Sequence, residues 1–186
     1  MVMKIYELKQ DYDHYKFLVF KEDGVSSKRT LNFKGQSLKS NWTPLNFEIF
    51  TEPKKKERNK REDFNASCYF SGRLVINNEL TKPFLELLDA EVEILPVIVS
   101  DISDVYFFIN VLTIIDAIKK EGLELKVLMD KIRNNNIEFS RDLIDNHIIF
   151  RDSKLLHTYY CTDAFIEFAK ANNVRGLSFV QVGLAT

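Results

Sequence analysis

Three histidines and two cysteines are the side chains best suited to metal binding or nucleophilic attack, and their spacing gives them no common task. His14, His147 and His157 form neither an HxH nor an HExxH pair, and Cys68 and Cys161 lie far apart with no CxxC between them. His157 and Cys161 fall on one side of a strand, but that step separates them by about 13 Å, too far for proton transfer. Glycine-rich phosphate loops are missing too: no GxGxxG, GxxxxGK[ST] or GxSxG occurs. Among the carboxylates, Asp101 and Asp104 flank a turn and serve to end strands, whereas Asp116 interrupts an apolar stretch. A buried carboxylate needs a partner. Arg151, directly after the apolar "HIIF", is the one the sequence offers. An enzyme built on an unrecognised polar site would therefore centre on Asp116, Arg151 and His147. Nothing gives those three a defined reaction, so no residue is assigned a catalytic, cofactor-binding or metal role, and no cofactor is expected.

The elements that would hold these groups are short. "MKIYELK", "YKFLVF" and "NFEIF" (46–50) read as strands, and "KEDGVSSKRT" (21–30) as a loop. "DFNASCYF" and "RLVINN" suit a strand pair. "NNELTKPFLELLD" suits a short helix capped by Asn78 or Thr81, with Leu85 and Leu88 on its inner face. The later start is favoured because it puts Pro83 in the first turn. "AEVEILPVIVS" reads as a buried strand that Pro96 confines to a sheet edge or a bulge. Residues 106–112 are assigned to a strand, although Phe108, Leu112 and Ile115 also fit a helical face. "LELKVLMDKI" is read as a strand running into the turn cluster "RNNN", and "IEFSRDLID" as a short strand or connector. At the end, "HIIFR" and "LLHTYYC" form two strands. Thr162 or Asp163 caps a helix whose face is Phe165, Phe168 and Ala169, Asn172 and Asn173 stop it, and "GLSFVQV" closes as a strand. The expected fold is α+β in one domain over residues 1–186, mostly antiparallel sheet with short helices on one face.

Bulk composition excludes several classes. With 45 % hydrophobic residues, 15 Phe and 7 Tyr, the chain can bury a large core and is not disordered. The formal charge of −1 is uneven, about +4 over residues 1–88 and about −5 over 89–186, which suggests oppositely charged faces or a polar partner. The run "EPKKKERNKRED" (52–63) is read as a solvated loop. Acidic residues interrupt it and no aromatic is interleaved for stacking, so nucleic-acid binding is rejected. The longest apolar run, Val105 to Ile118, is broken by Asn110 and Asp116 and is too short to span a bilayer. Without a signal-peptide core at the N-terminus or a disulfide framework, a cytoplasmic location is expected.

The order of segments resembles the immunity proteins of bacterial polymorphic toxin systems, in their eleventh numbered class. The resemblance runs from Trp42 in "NWTPLNF" through "DFNASCYFSGRLVINNELTKPFLELL", "EVEILPVIV", "YFFINVLTIIDAI" and "IIFRD" to "DAFIEFAKANNVRGLSF". It covers roughly residues 42–182 and leaves residues 1–41 unmatched. It implies a non-catalytic cytoplasmic protein that binds and neutralises a cognate toxin domain. Trp42, Pro96, Phe150 and Gly176 would then be packing or turn residues, not the binding surface. The competing readings are the enzyme centred on Asp116, Arg151 and His147, and a scaffolding domain.

Overall fold

The computed structural model describes residues 2–21, 35–50, 61–69, 73–88, 91–100 and 102–186. Most of the expected loop (21–30), most of the charge run (52–63) and Asp101 fall outside them. Two six-stranded sheets make up the fold. The first joins β1 (Met3–Gln10) to the C-terminal strands in the order β8-β10-β11-β1-β12-β9, where β8 is Ile114–Ile115, β9 Ile137–Phe139, β10 Ile149–Asp152, β11 Leu155–Cys161 and β12 Leu177–Ala185. The second has the order β2-β3-β6-β7-β5-β4, with β2 Leu18–Phe20, β3 Asn46–Ile49, β4 Ala66–Cys68, β5 Leu74–Asn77, β6 Val92–Val99 and β7 Tyr106–Val111. The helices are α1 (Asn78–Leu88), α2 (Leu125–Arg133), α3 (Arg141–Ile144) and α4 (Asp163–Ala171).

Sheet-dominated α+β is the architecture, but the sheets are mixed rather than mostly antiparallel. Parallel pairs join β3 to β6, β8 to β10 and β9 to β12. Both sheets also curl until their edges meet. In the first, the chain just past β8 reaches the opposite edge: Ile118 bridges Phe139, Lys119 N donates to Glu138 O and Ser140 N to Ala117 O. In the second, side chains make the closure, since Leu18 N on β2 donates to Ser67 Oγ on β4 at 3.0 Å. Curling lets each sheet surround its own apolar filling. Ile5, Phe139, Phe150, Tyr160 and Val182 fill the first, and Phe47, Leu95, Val97 and Phe108 fill the second.

Strand alternation sends the opposite residues of the same strands into a shared middle core. Leu8, Leu74, Ile76, Ile109, Ile149, Tyr159 and Cys161 meet there, with Phe84 of α1 and Phe165 of α4. The Phe84 ring packs edge-on against Phe165 and Phe168, with centroids 5.8 and 5.1 Å apart. The helices are therefore not gathered on one face: α1 and α4 sit between the sheets, and α2 packs Leu128 and Ile132 against the first sheet's core. On β12 the register slips opposite Ile5 and Tyr6, so Val182 and Ala185 both face the first core despite their odd spacing. Gly176 has φ +108, and a Cβ there would fall 2.0 Å from Ala66 O, so the β12 approach to β4 requires glycine.

Several local expectations change. Helix α1 begins at Asn78, not after Thr81, because β5 runs straight into it with Asn78 N bonded to Val105 O. It buries Leu80, Phe84 and Leu88, while Leu85 faces solvent. Pro83 lies inside this helix. "LELKVLMDKI" is helical, not a strand: Leu125, Leu128, Met129 and Ile132 recur at i, i+3, i+4 and i+7. Asn135 then takes φ 52 in the turn. Pro96 is in a strand interior to its sheet. The neighbouring amides on that side, Ile98 N and Ser100 N, bond to Leu45 O and Phe47 O, so the Pro96 nitrogen points to the β3 side before that ladder starts. Locally β6 is an edge there, and Trp42 Nε1 donates to Pro96 O at 2.7 Å in place of a strand.

Candidate functional site

Arg151 projects from β10 into the middle core and is only 1 % exposed. Strand β11 places Tyr159 beside it, and β7 and β6 supply Asn110 and Glu93 from the other sheet. Arg151 Nη2 donates to Asn110 Oδ1 at 2.8 Å and to Tyr159 Oη at 3.0 Å, while Nη1 donates to Leu156 O at 3.2 Å. The guanidinium also lies 4.8 Å from the Tyr159 ring centroid. Asn110 Nδ2 donates onward to Glu93 Oε2 at 3.0 Å and to Gln36 O at 3.1 Å. One amide thus bridges a buried cation on one sheet and a buried carboxylate on the other.

The electrostatics fit this connectivity. Burial pushes the Glu93 carboxyl up, but bonds from Ser37 Oγ, Leu38 N and Asn110, with Lys39 nearby, outweigh it and hold the group below its ordinary range. Burial raises the Tyr159 phenol despite the pull of Arg151, so the hydroxyl keeps its proton and donates to Ile109 O at 2.8 Å. The site is thus an internal charge pair satisfied through neutral groups. Sequence reasoning missed Glu93 and Tyr159 and took Asn110 only as a break in an apolar run. The usable signal was a polar residue at a core-facing step within "EVEILPVIV" and "YFFINV".

The three residues proposed for an enzyme are not brought together. Asp116 is exposed and does not pair with Arg151. Its carboxylate binds Lys120 and accepts from Ser153 Oγ at 2.7 Å, and these bonds, Lys120 first, hold it below the usual range. The carboxylate that is buried nearby belongs to Asp152, which accepts from Ile118 N at 3.0 Å and Lys154 N at 2.8 Å and so pins the segment closing the first sheet. His147 Nδ1 lies 2.7 Å from Glu91 Oε1, tying the start of β10 to the start of β6. No hydrogen bond or ion pair joins any two of Asp116, Arg151 and His147.

The surface grooves separate them further. One of about 570 Å³ is lined by Asp116, Lys119, Lys120, Lys131 and Leu143 among others. Another of about 410 Å³ holds His147 with Arg141, Asp145 and Asp163. Arg151 lines neither. His157 is exposed, whereas burial in the middle core pushes the Cys161 thiol up, which removes the thiolate that a Cys–His nucleophile needs.

The first-sheet segments, residues 1–10 and 112–186, carry 12 Lys/Arg and 11 Asp/Glu. The acidic excess lies in residues 89–104, of which residues 92–99 join the second sheet as β6.

No curated protein matches this chain. The model of an immunity protein family does match, from residue 35 to residue 183. That span starts at the segment carrying the Glu93 contacts, takes in the four described helices and every described strand except β1 and β2, and ends within β12. Because the match extends through both sheets and the helices packed between them, the chain belongs to the immunity protein family (Imm11).

Proposed function

We propose that this immunity protein acts by binding a cognate toxin domain and covering the surface that the toxin uses, with no turnover of its own. The family match over residues 35–183 carries this reading. The dispersal of Asp116, Arg151 and His147 among separate structural tasks supports it over the enzyme reading, which needed them in one pocket. The buried ionisable groups fit a rigid scaffold whose recognition surface lies elsewhere, because their partners already satisfy them inside the core.

In this proposal the protein works in the cytoplasm of a cell that makes, or receives from its kin, a toxin of a polymorphic system. Two buried cysteines fit a reducing compartment, and no described helix is long and apolar enough to cross a membrane. Neither nucleic acid nor a lipid surface is required as a partner. The complex is expected to hide about 1,600 Å² of surface in total.

The test is co-expression with the toxin domain encoded beside it. Rescue of growth, together with a stoichiometric complex on size-exclusion chromatography, is the expected result. If the intact, folded protein neither rescues nor binds, the proposal fails. If it rescues while chemically modifying the toxin or its product, the non-catalytic part fails.

A further inference from the structure

Residues 35–44 pack against the core of the second sheet without joining it as a strand. None of the ten is buried, and the short 3-10 turn Lys39–Asn41 has no core residue at all. Leu38 and Trp42 are its apolar anchors, both partly buried against the second core. Trp42 stacks on Phe108 with ring centroids 5.8 Å apart, and its indole N–H reaches Pro96 O.

The polar anchor is stronger. Glu93, 3 % exposed, accepts from Ser37 Oγ and, at 2.9 Å, from Leu38 N. Asn110 reinforces it by donating to Gln36 O as well as to Glu93. Bonds to an ionised acceptor are worth more than neutral ones. Little apolar burial backs them up along this segment, whereas the β6–β7 ladder beneath is buried over most of its length. Segments with few buried contacts open at much lower free energy than the core they rest on.

We propose that residues 36–42 form a latched strap, a unit that opens and recloses in one piece over the second sheet while both sheets stay folded, with the Glu93 carboxylate as its latch. Opening frees Trp42 and uncovers the Phe108 ring and a carboxylate that has just lost two donors. The device belongs to the fold and holds whichever partner the protein meets.

The chain contains one tryptophan, so Trp42 gives a single indole N–H resonance. Native-state hydrogen exchange at neutral pH, followed by NMR, reads the strap through two probes, that indole and the Leu38 amide. Both are expected to share one protection factor, at least tenfold below that of the β6–β7 ladder amides. Ser37→Ala alters an exposed residue and leaves folding intact. It should lower both strap probes by roughly tenfold, the effect of losing one bond to a charged acceptor, and leave the ladder unchanged. Glu93→Gln should lower both strap probes more strongly still, and it also lowers the ladder, by its global cost of stranding Arg151. Should that variant fail to fold, Ser37→Ala and the wild-type protein still decide. The proposal is overturned if strap and ladder share one protection factor, if Ser37→Ala shifts both equally, or if it lowers Leu38 without the indole.

Discussion

Replacing Arg151 by Met keeps most of the side-chain volume and deletes the charge. The guanidinium donates to Asn110 Oδ1, Tyr159 Oη and Leu156 O, and is the buried cation facing Glu93 through the Asn110 amide. Loss of a donor from a buried neutral acceptor costs about 1 kcal/mol or more each. Stranding the other charge of a buried pair brings the total to about 3–5 kcal/mol. With a urea slope of about 2 kcal/mol per M for a domain of this size, the unfolding midpoint should drop by roughly 1.5–2.5 M at unchanged slope. Removing both charges with Glu93→Gln and Arg151→Met is expected to cost less than the sum of the single variants, by at least about 1 kcal/mol, since no unpaired charge is left inside. Equilibrium urea unfolding of the wild type, both single variants and the double variant forms the cycle. An Arg151→Met cost below about 1 kcal/mol, or strictly additive effects, would refute the argument that Glu93 and Arg151 are coupled through Asn110.

Four further outcomes follow from the same geometry. Glu93 is held below its ordinary range when folded, so it stabilises the fold above the unfolded value of about 4.3 and that contribution disappears as pH falls through the folded value; the drop in urea midpoint between pH 5 and pH 3 should be smaller in Glu93→Gln. Pro96→Ala should change stability by less than about 1 kcal/mol despite the interior strand, because the new amide faces no ladder, whereas Gly176→Ala should cost at least about 2 kcal/mol from its φ of +108 and the clash with Ala66 O, both read from thermal melts. Cys68 and Cys161 should resist iodoacetamide at pH 8 in the native protein and react fully in denaturant, measured by intact mass.

How far the sequence could be read depended on the range of the interaction involved. The β4–β5 pair, the β10–β11 hairpin, and α4 ending at Asn172 with Asn173 at φ 50 all rest on neighbouring residues, and all are present. Helix α2 was misread because Leu123, Leu125 and Val127 alternate like a strand. Only the set through Ile132 shows the helical period, and much of that face stays exposed. Parallel pairing and edge closure join segments distant in sequence, for which local pattern holds no signal. The expected Asp116–Arg151 pair failed for a related reason: depth was inferred from flanking apolar residues, yet the chain surfaces at Asp116 alone and dives again at Ala117 and Ile118. The family resemblance was legible because it rests on the order of these local patterns, and the match begins at residue 35, slightly earlier than Trp42.

The position of β1 has a consequence for biosynthesis. This strand leaves the ribosome before every other described strand, yet its two neighbours are β11, beginning at Leu155, and β12, ending at Ala185. Until nearly the whole chain has emerged, β1 has no one to pair with and its apolar side chains, Ile5 and Leu8, wait uncovered. Such high contact order slows folding and leaves the unpaired strand edge exposed in the meantime. A nascent chain halted before β12 would therefore yield a product that cannot complete its first sheet.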